Sequence, residues 1–271
     1  MNAQTQGKER LLLIDGTAIV RRVYEKNARD NPNQPLEQTA EQSIRFALGS
    51  FRKALEEVPH THALAAFDYG GKNWRHRLFP AYKDGREPMA QELRDRLPDF
   101  YCELRSRHGL YSNAVPGVEA DDVIGTCARR WLEAEKGEVV VSAHDKDMLW
   151  LIAHGVLIYH YFDHCYRDRA YVNERFYGLE PSQILDFLAL MGDSTDGVPG
   201  IDRCGAKTAA AWLNEFGTLA GVIENAEALP GIAGKSLRAN IEQVRLNRQL
   251  VSLASNVQLG LTWKELRRVQ N

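Results

Sequence analysis

Leu11-Leu-Leu-Ile-Asp15 is the stretch from which the fold can be read. Its apolar residues follow one another without a break and end at an acid, with Gly16-Thr17 beyond. The run is too short for a helix and does not alternate as a half-exposed strand would, so it suits a strand covered on both faces. The pattern recurs: His62–Asp68 is expected to be a second buried strand, Val139–Ser142 a third and Val156–Tyr159 a fourth. Helical patterns lie between them. One opens with capping-box spacing from Thr39 to Gln42 and runs through Ile44, Ala47, Leu48, Phe51 and Leu55; others fill Met89–His108 and Ala120–Glu135. Strands separated by helices predict an α/β/α domain with a mostly parallel sheet. After about Pro181 the texture becomes helical, with Ser182–Met191, Lys207–Phe216, Thr218–Asn225 and Ser236–Ala254 punctuated by glycines. The organisation expected is an α/β unit over residues 10–180 and a smaller helical unit over 181–271.

The chain has 271 residues, 44% hydrophobic and 26% charged, as in ordinary globular proteins. No apolar run approaches the roughly 20 residues that span a membrane. The polar segment Met1–Arg10 is expected to be a frayed N-terminus rather than a signal peptide, and a cytoplasmic location is expected. Cys102, Cys127, Cys165 and Cys204 form no CxxC pair, so reduced, partly buried thiols are expected.

The chemistry suggested by the sequence lies in its acids. Asp15 ends the first strand, Asp68 the second, and Asp145 follows the third. Ligands of open α/β sheets bind beyond the carboxyl ends of strands, so these three should converge. Gly117-Val-Glu-Ala-Asp-Asp122 adds Glu119, Asp121 and Asp122 at a helix start. Asp145-Lys-Asp147 adds Asp147, and Gly192-Asp-Ser-Thr-Asp-Gly197 adds Asp193 and Asp196. So many carboxylates raise one another's pKa unless cations lie among them. Oxygen donors without a thiolate or histidine pattern point to two magnesium or manganese ions, suited to phosphodiester cleavage. Any one of these acids alone is more often a cap or turn former; the set is what carries the reading. The net charge of −2 is compatible with a nucleic-acid partner on this view: taking those nine from the 36 acids leaves 27 against 34 Lys and Arg.

Several stretches resemble the bacterial 5′→3′ exonuclease/flap endonuclease family, which includes the N-terminal nuclease domain of DNA polymerase I and stand-alone enzymes of the exonuclease IX type. They run in family order: Leu11–Thr17, Ala65–Asp68, Pro80–Met89, Gly117–Gly125, Asp145–Leu149 and Phe187–Gly200. The resemblance implies a PIN-like 5′ nuclease domain followed by a helical domain with a helix–three-turn–helix. By resemblance Asp15, Asp68, Glu119, Asp121 and Asp145 hold a first metal, while Asp122, Asp147, Asp193 and Asp196 shape a second site. Lys83 and Arg86 fall in the segment that forms the family's helical arch or clamp, where they would grip the scissile phosphate. Arg22 matches another basic site residue, and Tyr82 would stack on a base or support the arch.

Gly197–Ala209 resembles the family's helix–three-turn–helix, implying duplex contacts from Gly200, Arg203, Gly205 and Lys207 and a potassium ion on the main-chain carbonyls of Ile201 and Cys204. Arg203 stands where the family pattern usually has glycine; if the position needs positive φ, the arginine is strained. The expected partner is DNA with a 5′ flap or 5′ end, bound by a monomer, with no membrane. No polymerase segment follows before Asn271, so partnership with a DNA polymerase and ligase is expected. Three rivals are weaker. A haloacid dehalogenase-type phosphatase would need an acid two residues from Asp15, where Leu13 and Thr17 stand. A non-catalytic DNA-structure binder would have no use for costly buried acids. A PIN-type ribonuclease would not explain the duplex-binding hairpin.

Overall fold

The computed structural model describes residues 9–268. The expectation of a frayed Met1–Arg10 lies outside the described residues for 1–8, while Glu9 and Arg10 already belong to the first strand. β1 (Glu9–Asp15) is the sheet's centre, with Leu11, Leu12, Leu13 and Ile14 all at 0% exposure. Alternation sends Leu11 and Leu13 into the core on one face, and Leu12 and Ile14 into the core on the other.

α1 (Gly16–Asp30) and α2 (Leu36–Glu57) lead to β2 (His62–Phe67), which pairs parallel to β1. α3 (Trp74–Leu78), α4 (Gln91–Arg94) and α5 (Leu97–His108) precede β3 (Tyr111–Ala114), parallel to β2. α6 (Ala120–Glu133) then returns the chain to the other side of β1, where β4 (Gly137–Ser142) and β5 (Leu157–His160) continue the parallel sheet. β6 (Cys165–Arg167) closes the edge antiparallel to β5, giving the order β3-β2-β1-β4-β5-β6. The strand order reverses between β1 and β4, so the crevice beyond their carboxyl ends is a topological switch point.

α7 (Arg169–Arg175) leads into the helical part: α8 (Ile184–Met191), α9 (Ala206–Phe216), α10 (Leu219–Glu224), α11 (Gly231–Ala239), α12 (Ile241–Leu250) and α13 (Trp263–Leu266). This part shares a buried core with the sheet: Leu11, Trp131, Leu188, Leu213 and Val244 belong to one cluster. Among the described residues no helix is long and apolar enough to cross a membrane. Cys127 and Cys204 are buried, Cys165 is half-buried, Cys102 is exposed, and all four are unpaired.

Three expectations need correction. α2 begins at Leu36, so Thr39 lies inside its first turn and its hydroxyl donates to the Pro35 carbonyl (3.2 Å) instead of capping. Met89–His108 is two helices, and Pro98 sits in the first turn of α5, where a missing N–H costs nothing. The single helix read over Ser236–Ala254 is broken at Asn240 into α11 and α12.

Candidate active site

Asp15 caps α1 directly from β1, its Oδ1 accepting the Ala18 N–H at 2.9 Å. Asp68 follows β2; its own N–H donates to Thr17 Oγ1 (2.7 Å) and its Oδ1 accepts the Ala120 N–H (2.8 Å). Asp145 follows β4 and accepts the Lys146 N–H at 2.7 Å. Each carboxylate is fixed through Oδ1 by a backbone donor, so all three converge on the switch point in defined orientations. Asp121, in the first turn of α6, and Asp147, at the start of the 3-10 turn Asp147–His154, complete the row.

These acids perturb one another's ionisation. Burial, then Asp68 and Asp145, push the Asp15 carboxyl up to about 7 against the opposing Ala18 hydrogen bond. Burial, then Asp147, Asp15 and Asp145, push Asp121 well above the usual carboxylate range. Burial, Asp145 and Asp196 do the same for Asp147, with Asp193 adding to it. Asp15 and Asp68 sit against α1, and Asp193 and Asp196 on the loop after α8.

A buried, unpartnered Asp147 Oδ1 is the observation that tests whether cations fit here. An ionised carboxylate oxygen shut away from donors is costly unless a cation meets it. The donors are all carboxylate oxygens, the choice of a hard divalent ion. Among the described residues no three such side chains are already drawn together at metal-binding spacing. Instead cationic side chains lie among the acids. Lys83 Nζ donates to Glu119 Oε1 at 2.6 Å and is 3.5 Å from Asp196, Arg86 is 3.9 Å from Asp196, and Lys146 Nζ donates to Asp193 Oδ1 at 2.8 Å. Burial works against the Lys83 charge, but Glu119 and Asp196 outweigh it and raise its pKa.

The structure removes Asp122 from the acids expected at the second site. Its carboxylate is 0% exposed and receives both Arg75 Nη1 (2.9 Å) and Nη2 (2.9 Å), Trp74 Nε1 (3.0 Å), and the backbone N–H groups of Glu119 (3.1 Å) and Ala254 (2.8 Å). Burial would raise its pKa, yet Arg75 and these donors hold it below the usual range. With its oxygens so occupied, Asp122 is a structural anchor.

Tyr82 likewise offers no face to a base: it is 2% exposed, and its hydroxyl lies 3.1 Å from Glu119 Oε2 and 2.8 Å from Asp196 Oδ2. It holds Glu119 beside Asp196. The segment Pro80–Met89, expected in a helical arch or clamp, is not helical: it is turns over Pro80–Gly85 and irregular beyond, with Lys83 at φ 59°. Two prolines and Gly85 work against a helix there, and the Lys83 N–H ties the turn to the Asp196 carbonyl (2.9 Å). Arg22 is exposed and its guanidinium lies 4.0 Å over the Phe162 ring; its neighbour Arg21 reaches the Glu87 carbonyl (2.7 Å).

In the hairpin Gly197–Ala209, Gly200 is required by packing: a Cβ there would meet the Met191 carbonyl oxygen at 2.0 Å. This close crossing closes the loop that carries Asp193 and Asp196, so Gly200 serves the fold before any ligand. Arg203 adopts φ 61°, the left-handed conformation that its place in the motif suggested. Gly205 caps α9 with open space where a side chain would stand, and Lys207 is exposed in the first turn. The Ile201 carbonyl accepts the Cys204 N–H at 2.9 Å, placing these two residues in one tight turn.

Two residues of the site carried no readable signal. Arg75 looks like any surface arginine in sequence, and Lys146, between the two acids it separates, reads as a solvated lysine.

Two family models match: the 5′-3′ exonuclease N-terminal resolvase-like domain over residues 10–177 and the 5′-3′ exonuclease C-terminal SAM fold over 179–271. The flap endonuclease Xni of Pseudoalteromonas translucida is 33% identical over 260 residues, covering 96% of this chain and 99% of the relative. DNA polymerase I of Mycobacterium bovis is 33% identical over 275 residues, covering 98% of this chain but 29% of the polymerase. Among solved structures, T5 5′-exonuclease with bound zinc superposes with a TM-score of 0.69 at 20% identity, over 91% of this chain and 90% of that one.

Proposed function

Because the chain belongs to the 5′-3′ exonuclease family, we propose that it hydrolyses DNA phosphodiesters at 5′ ends and 5′-flap junctions with two magnesium or manganese ions. The observation that carries this reading is the row of acids at the switch point, in which burial and then like charge push Asp121 and Asp147 up and Asp147 Oδ1 has no partner among the described residues. Asp15, Asp68, Asp145, Asp121 and Glu119 would hold one cation; Asp147, Asp193 and Asp196 would border the other. Bound there, divalent cations would lower the pKa of water and stabilise the attacking and leaving oxygens.

The chain's own groups prepare the rest. Lys83 and Arg86 extend from a turn tied to the Asp196 carbonyl, and each already lies near a carboxylate. An arriving phosphate would draw them from Glu119 and Asp196, freeing those carboxylate oxygens to hold a cation. Tyr82 keeps Glu119 and Asp196 oriented through that exchange. The α9 N-terminus, with Arg203 and Lys207 exposed beside it, would take duplex backbone without reading bases. Potassium on the Ile201 and Cys204 carbonyls would stiffen the same turn.

The test is cleavage of a 5′-flap DNA labelled at either end, in magnesium, manganese or chelator. Products near the junction that require metal are expected. Tight flap binding without cleavage in either metal would replace this reading with that of a DNA-structure binder.

A further inference from the structure

An open groove of about 710 Å³ runs along α1, beginning at Arg86 and His144 beside the acids and ending at Asp30. Arg21, Arg22, Lys26, Arg29 and Arg86 line it, against the acids Glu25 and Asp30. Lys26 pairs with Asp30, and Arg21 approaches Glu25 at 3.8 Å, but among the described residues Arg22 and Arg29 have no carboxylate partner. Residues 22, 26 and 29 lie on one face of α1, spaced over about 10 Å of helix axis. Phe162, under the Arg22 guanidinium, brings an aromatic ring into the same groove.

We propose that this groove carries the single-stranded 5′ arm of the substrate after it has passed the acids. The inference rests on the nuclease reading above and adds the path of one strand. Its direction follows from the layout. Asp193 and Asp196 lie on the loop that leads to the α9 hairpin, whereas Asp15 caps α1 and Asp68 bonds to Thr17 of α1. A duplex seated on the hairpin therefore sends its 5′ strand across the row towards α1. A line of exposed cations with one interleaved aromatic suits a sequence-independent single strand; it offers no element that could enter a duplex groove.

Lys26→Ala–Arg29→Ala removes two exposed charges away from the acids. Its test is binding, in chelator and over a salt series, of two 5′-flap DNAs that differ only in flap length, one of a single nucleotide and one long. The parent protein is expected to bind the long flap more tightly and with a steeper salt slope. The variant should lose that excess, its slope on the long flap falling by about 1.4 for two single-strand contacts, while binding and metal-dependent cleavage of the short flap stay at the parent level. Unchanged binding of the long flap would overturn the proposal. So would an equal loss on both DNAs, which would mean that the groove meets duplex. Failure of the parent protein to cut either DNA in magnesium would instead overturn the nuclease reading, whatever the flap-length dependence shows.

Discussion

Asp121 and Asp122 are neighbours in sequence with opposite electrostatic fates. Successive helical residues point about 100° apart, so one carboxylate turns towards Asp147 and the other into Arg75. Sequence marks both as first-turn acids and cannot tell which has a cationic partner, because that partner comes from α3, 47 residues away. The distinction decides how the site should be tested. Asp121→Asn–Asp147→Asn removes charge that the fold resists. Folded Asp15, Asp121 and Asp147 keep protons that the unfolded chain releases near 3.8. Raised folded pKa values mean that the metal-free protein has their full stability contribution below that pH and loses it as pH rises through the folded values, which for Asp15 is about 7. In chelator the double variant should therefore melt higher than the parent near neutral pH, with the difference closing towards pH 4, while flap cleavage falls by at least about a hundredfold. Equal melting of the two proteins across that range would mean that the acids do not strain the fold. Retained turnover would take both out of the metal site.

At the scale of elements, the buried strands were legible because β1, β2 and β4 are apolar runs, covered on both faces. β3 was not: Tyr111-Ser-Asn-Ala114 is half-buried throughout and carries no strand-like pattern. The break at Asn240 is equally silent, since apolar spacing continues from Leu237 to Val244 on either side of it. The turn at Arg203 shows the opposite case, a local rule broken where the motif could be read. Left-handed φ costs a side-chain-bearing residue roughly 1–2 kcal/mol, and the exposed guanidinium gains no ion pair among the described residues. Arg203→Gly should relieve that strain, offset in part by the greater freedom of glycine in the unfolded chain, so stability should rise by no more than about 1 kcal/mol. If the arginine is kept for a duplex phosphate, the same change lowers the salt slope of duplex binding by about 0.9. Denaturant unfolding and salt-dependent binding separate the two effects, and an unchanged slope would remove Arg203 from the interface.

At the scale of the molecule, the two units expected from the change of texture near Pro181 share an apolar core and are also tied by a buried guanidinium. Arg75, 2% exposed, donates from Nε to the Leu250 carbonyl (2.8 Å) and from Nη2 to the Ser252 carbonyl (2.8 Å), while also holding Asp122 and reaching Glu119 (3.0 Å). It thus fixes the end of α12 to the start of α6, where Glu119 enters the site. Burial opposes its charge, but Asp122 and Glu119 prevail and raise its pKa. Arg75→Ala leaves Asp122 buried without its cation and should cost about 3–5 kcal/mol. Arg75→Ala–Asp122→Ala should recover part of that loss, because the uncompensated charge is gone although the Leu250 and Ser252 carbonyls still lack a donor. Denaturant unfolding also tests what unites the molecule. The core that runs from Leu11 through Trp131 to Leu188 and Val244 predicts a single transition in the parent and in both variants. A second transition appearing in Arg75→Ala would mean that this ion-pair seam, more than the shared apolar core, makes the sheet and the helical part unfold as one.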